Sequence, residues 1–134
     1  MDGLLLFAHG ARDPRWAGPF EAVARRIAQQ RPGQAVALGF LEFMQPDFAG
    51  AAASLIAQGC TRIHVMPMFL GSGGHVQRDL PGLLNQQRAL HGEGVEWTLQ
   101  APLGEIASVI DAMAEACIAP LDSPAARPDP GALP

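Results

Sequence analysis

Lysine and tyrosine are absent from the 134 residues, and all nine basic side chains are arginine. Without lysine there is no Schiff-base chemistry and no phosphate-gripping lysine of the P-loop kind. Cysteine is scarce: Cys60 and Cys117 stand far apart, outside any C-x-x-C spacing, so neither a disulfide framework nor a zinc knuckle is implied. Charged residues make up only 16%, and the net charge of −4 argues against a nucleic-acid partner held by phosphate neutralisation. No apolar run approaches the roughly 20 residues of a membrane span, and Met1-Asp2-Gly3 is no basic leader segment. The expectation is a soluble, cytoplasmic protein without a membrane partner. What is plentiful is apolar residue, 49% of the chain, enough to build one compact core.

Apolar runs of strand length alternate with longer amphipathic stretches. Leu4 to Ala8 is continuously apolar and ends at His9-Gly10, as a strand buried on both faces reads. Between Trp16 and Gln30, Phe20, Val23, Ala24 and Ile27 recur at helical spacing, and Pro32-Gly33 stops the helix. A second strand is predicted at Ala35–Leu41, a helix from Pro46 or Asp47 to Gln58, and a third strand at Arg62–Pro67. The glycine-rich Gly71-Ser72-Gly73-Gly74 leads to a helix near Val76–Leu90, followed by a strand at Val95–Leu99 and a helix at Glu105–Ile118. Four such β-α units make an α/β, flavodoxin-like, doubly wound parallel sheet of order 2-1-3-4, with helices on both faces. Residues 1–119 form this domain. From 120 to 134, Pro120, Pro124, Pro128, Pro130 and Pro134 arrive with few apolar partners, so that stretch reads as a loose tail.

In such a sheet, ligands bind beyond the carboxyl ends of the strands, where the connections diverge. His9 ends the first strand, Glu42 the second, and His75 stands in the loop after the third. Two imidazoles and a carboxylate therefore converge on one edge. Neutral imidazole binds Co²⁺, Ni²⁺, Fe²⁺ and Zn²⁺, and two such ligands leave coordination positions open for a metal that must be handed on. An imidazole or Glu42 can equally accept protons. Plainer readings compete. Either histidine alone can be a loop residue, and Glu42 can cap the helix that follows. His64 reads as a packed histidine and His91 as a helix-end residue, while Trp97 reads as core. Arg12, Arg15 and Arg78 near the edge suit a substrate with carboxylates, and the 71–74 loop can add backbone N–H donors.

The segments Leu6-Phe7-Ala8-His9-Gly10-Ala11-Arg12, Leu41-Glu42-Phe43-Met44-Gln45-Pro46 and Met66 to His75 with Asp79-Leu80-Pro81 resemble the small class II tetrapyrrole chelatases, the short sirohydrochlorin cobaltochelatase and ferrochelatase type. The P-x-F-L-x-x-G-x-H…D-x-P pattern is the specific part, and the order matches over about residues 3–118. The resemblance implies insertion of a divalent metal (Co²⁺ favoured, Fe²⁺ or Ni²⁺ as alternatives) into sirohydrochlorin, in cobalamin or siroheme biosynthesis. It implies no cofactor beyond the metal substrate. It places metal-binding histidines at His9 and His75, with His9 also a proton acceptor and Glu42 a second catalytic group. Substrate contacts fall at Gln45 and along Leu70, Gly71, Ser72, Gly73 and Gly74, with Arg12 nearby. Ala11 departs from the usual serine, and Gln45 from an often charged position.

Longer relatives in this class carry two lobes facing across a cleft, and this chain supplies one, so a homodimer meeting near the carboxyl edge is expected. Histidine phosphatases also end a strand in His-Gly, but need an arginine just before it, where this chain has Ala8. No Gly-x-Ser-x-Gly elbow is present for a hydrolase. A metal or tetrapyrrole carrier would use the same ligands.

Overall fold

The computed structural model describes residues 1–71 and 74–122, with the side chains of residues 75–77 outside that description. Four strands, β1 (Asp2–Ala8), β2 (Ala35–Phe40), β3 (Arg62–Pro67) and β4 (Glu96–Leu99), form one sheet in the order β2-β1-β3-β4. All pairings are parallel, with Leu5 opposite Ala37 and Val65. The helices are α1 (Gly18–Gln30), α2 (Phe48–Ala57), α3 (His75–His91) and α4 (Ala107–Ile118). This is the predicted doubly wound topology.

The strands alternate in what their two faces meet. Leu5, Phe7, Ile63, Val65 and Trp97 point to one side and are buried with Phe48, Leu55, Leu80 and Leu84 from α2 and α3. Phe7 meets Phe48 edge-on at 5.2 Å between ring centres, and Trp97 stacks beyond it at 6.4 Å. Each such fully buried side chain contributes about 1.5–3 kcal/mol. On the other side, Leu6, Ala8, Phe40 and Met68 pack under Trp16, Phe20, Ala24 and Ile27 of the α1 region.

Several boundaries differ from expectation for identifiable reasons. Before α1, Pro14–Ala17 forms a 3-10 turn, because Asp13 caps it by accepting from the Arg15 N–H. The cap of α2 is Asp47, whose carboxylate accepts from the Gly50 N–H at 2.8 Å; Glu42 takes no part, so its capping role is corrected. His75 is the first residue of α3 and not a loop residue, since Gly74 (φ 93°) makes the turn directly before it. Glu105 lies in another 3-10 turn, Leu103–Glu105, so α4 starts at Ala107. Of the expected tail, the first residues continue as a 3-10 turn, Ala119–Asp122, and 123–134 lie outside the described residues.

Candidate active site

The ladder between β1 and β2 continues past the strands. Leu41 N–H donates to the Ala8 carbonyl at 3.0 Å, and Glu42 N–H to the His9 carbonyl at 3.1 Å. Two further backbone bonds thus carry His9 and Glu42 side by side to the carboxyl edge. Gly10 makes this possible: it sits at φ 94°, and a Cβ there would run into the Glu42 carbonyl. The side chains meet as a result, with His9 Nε2 2.9 Å from Glu42 Oε1. Their relative exposures of 46% and 48% leave the pair open to solvent and to a ligand.

This contact defines what the imidazole can do. When Glu42 is ionised it only accepts, so a neutral His9 donates Nε2–H to it and keeps the Nδ1 lone pair. That nitrogen can bind a metal or take a proton. A carboxylate behind the ring also orients it.

Beside the pair, the guanidinium of Arg12 lies 4.5 Å over the ring of Phe43. Phe43 adopts φ 66°, the left-handed region that non-glycine residues rarely occupy, and the residue is 54% exposed. Nothing in the residue type announced Phe43; its conformation is visible only in the fold. Arg15, by contrast, is committed to Asp13 through bonds of 2.7 to 3.1 Å. That side-chain pairing, reinforced by the Arg15 N–H, holds the Asp13 carboxyl below its ordinary range. Arg12 therefore remains the available cation of this loop.

The other expected residues spread along the same edge. Gln45 lines an open depression of about 290 Å³ with Phe40, Met44 and Pro46, separate from the His9–Glu42 contact. Leu70 is exposed and borders an apolar depression of about 280 Å³ with Met68, Phe69, Phe20 and Leu103. Gly71 and Gly74 are exposed at the two ends of their loop. Ser72, Gly73 and the His75 side chain lie outside the described residues, so the structure brings together His9 and Glu42 and leaves His75 located by its backbone alone. Among the described residues no cluster of three or more metal-ligating side chains forms. His64 is a packed histidine, as expected, bonded to Thr98 (2.7 Å) and Asp2 (3.0 Å).

The CbiX family model matches residues 3–118, nearly the whole described fold. The chain belongs to the CbiX family. It is 34% identical over 109 residues to a sirohydrochlorin cobaltochelatase of Saccharolobus solfataricus, covering 78% of this chain and 84% of that one. A sirohydrochlorin cobaltochelatase of Methanosarcina acetivorans is 32% identical over 108 residues, with 76% and 83% covered. Among solved structures, a CbiX protein of Marinobacter aquaeolei superposes with a TM-score of 0.78 at 25% identity, over 91% of this chain and 98% of that one. The sirohydrochlorin chelatase SirB of Bacillus subtilis, solved with cobalt, superposes with a TM-score of 0.73 at 20% identity. There 87% of this CbiX chain covers 49% of the neighbour, so the shared fold is about half of the longer protein.

Proposed function

We propose that this protein is a sirohydrochlorin chelatase, a lyase-type metal chelatase that inserts a divalent metal, Co²⁺ by preference, into the macrocycle. The observation that carries the reading is the solvent-open His9–Glu42 pair at the carboxyl edge. It stands in a chain whose relatives at 32–34% identity are named for that activity.

Metallation exchanges two pyrrole N–H protons for one M²⁺, so the macrocycle must lose two protons as the metal loses water. His9 offers Nδ1 first as a ligand and, once the metal has moved on, as a proton acceptor. His9 sits 2.9 Å from the Glu42 carboxylate, and the exposure of both lets each of the two protons be taken up in turn and passed to water. His75, opening α3 across the switch point, supplies the second ligand. Two imidazoles with open positions hold the ion weakly enough to release it.

Arg12 on its Phe43 platform pairs with a macrocycle carboxylate, while Gln45, Leu70 and the 71–74 loop contact the ring system. The metal is substrate, and no nucleotide or redox cofactor enters the reaction. A second copy of the chain supplies the opposite wall of the cleft. The protein acts in the cytoplasm, serving cobalamin or siroheme biosynthesis.

Anaerobic incubation with sirohydrochlorin and Co²⁺, Fe²⁺ or Ni²⁺ tests this. Multiple turnovers, fastest with Co²⁺, are expected. Turnover with Fe²⁺ or Ni²⁺ alone would change the metal assignment. Stoichiometric binding without turnover would make the protein a carrier and overturn the enzymatic reading.

A further inference from the structure

Gln87 breaks the pattern of its helix. The buried side of α3 runs Leu80, Leu84 and Gln87 at i, i+4 and i+7, and the two leucines belong to the apolar core. Gln87 is 3% exposed, the one buried polar or charged residue among the described residues. Its side chain nevertheless makes no hydrogen bond to a described residue. A buried amide without partners is costly, and a hydrophobic side chain would have served packing better. Trp97 Nε1 is the only fully enclosed side-chain nitrogen or oxygen left unpaired among the described residues. The Gln87 amide is therefore not sealed in, and the space it reaches is the pocket that it lines.

That pocket measures about 140 Å³ and lies between α2 and α3 at the end of β2. Phe40, Phe48 and Leu83 give it apolar walls, while Asp47 and Ala49 bring in the first turn of α2. Neither His9 nor Glu42 borders it, and neither do Gln45 and Leu70. Its polar groups can be counted. Asp47 Oδ1 accepts from the Gly50 N–H at 2.8 Å, which leaves Oδ2 without a donor and the Ala49 N–H without an acceptor among the described residues. Gln87 adds one NH₂ and one carbonyl oxygen. Donors thus stand at Ala49 and Gln87, and acceptors at Asp47 and Gln87.

This set selects a ligand. No basic side chain lines the pocket. An anion is drawn by the amino end of α2 but repelled by the Asp47 carboxylate, and a cation meets the reverse. A hydroxyl has a single donor for two acceptors. A primary carboxamide is neutral, with two N–H donors and a carbonyl that accepts twice. We infer that the pocket is a binding site for a small primary carboxamide. Its carbonyl accepts from Ala49 and Gln87, its NH₂ donates to Asp47 and Gln87, and a short aliphatic stem lies against Phe40, Phe48 and Leu83. The site is independent of the chemistry at the His9 edge.

A heteronuclear NMR titration of the full chain with propionamide tests it. Saturable shifts of the Ala49 N–H and the Gln87 side-chain NH₂ are expected, in the millimolar range for so small a ligand. Propionate and butanone match propionamide in shape, but the first is an anion and the second lacks donors. Each should bind weaker by about tenfold or more. Gln87→Leu should weaken propionamide binding by a similar factor without lowering the thermal midpoint, because it removes a buried unpaired amide. No saturable shift in the wild type would mean that the pocket holds water only, and would overturn the site. Equal binding of propionate, or undiminished binding by Gln87→Leu, overturns it as well. If Gln87→Leu does not fold, Gln87→Met tests the same amide. The readout is ligand binding and not turnover, so its failure leaves the chelatase reading standing.

Discussion

The chemistry of the carboxyl edge depends on one glycine as much as on the ionisable pair. Gly10 lets the Glu42 carbonyl pass where a side chain would stand, and that approach sets the 2.9 Å contact to His9. Gly10→Ala should therefore cost roughly 2–3 kcal/mol in denaturant unfolding, from the left-handed backbone plus the clash. It should also lower turnover in whatever remains folded. Removing the pair itself should act on rate with little effect on stability, since both side chains are half-exposed. His9→Ala is expected to lose about 100-fold or more in chelatase rate. Glu42→Gln keeps the shape and loses the charge, so a drop of about 10–100-fold is expected. Unchanged rates in both variants, measured with Co²⁺ and sirohydrochlorin, would remove the pair from the mechanism. Asp13 and Arg15 bear on the site differently: by satisfying one another they leave Arg12 free over Phe43.

At the scale of elements, two local devices hold the frame that carries the edge. Asp47 caps α2 through the Gly50 N–H, and α2 buries Phe48, Ala51, Ala52 and Leu55 against the sheet. Asp47→Ala should destabilise by about 1 kcal/mol in chemical denaturation, the usual value of such a cap. At the amino end of the sheet, Asp2 of β1 receives Arg62 and His64 of β3, and His64 reaches Thr98 of β4. Hydrogen bonds from Arg62, then from His64, pull the Asp2 carboxyl down to about 2 from 3.8. A depressed carboxyl adds stability that is complete above the unfolded value and is lost as pH falls through the folded one. Acid unfolding between about pH 4 and 2 should thus include an Asp2 contribution. Asp2→Asn should flatten the stability slope across that window in circular-dichroism titrations, and an identical slope would exclude it.

For the whole molecule, every residue from Asp111 to Ile118 of α4 is exposed, and His64, Met66 and Thr98 of β3 and β4 are only half-buried. If a second copy covers these surfaces, stability is a function of protein concentration. The thermal midpoint should then rise by roughly 2–4 °C for each tenfold increase in concentration. A midpoint independent of concentration is the outcome for a chain that folds alone. A second copy meeting this one at the carboxyl edge, as expected from the two-lobed relatives, would bring two such edges together. A flat macrocycle then meets a wall on each face.

Much of this was decided along the chain. Periodicity placed the strands, because a parallel strand under helices must be apolar at nearly every position, as Leu4 to Ala8 is. Alternation of four such runs with helices left the order 2-1-3-4, which in turn brought His9 and Glu42 to one edge. What only the tertiary structure decided were contacts between residues distant in sequence. The role of Glu42 was open between cap and partner until the extended β1–β2 ladder set it against His9, while Asp47 took the cap. The exposed ring of Phe43 follows from a backbone angle that its residue type disfavours, so no propensity could announce it. The stripe on α4 told the chain that a helix forms there, but not which surface it covers. Amphipathicity reports that a face must be buried and says nothing of the partner; the fold adds that the turn before α4 is held at Gly104 against the Leu70 backbone.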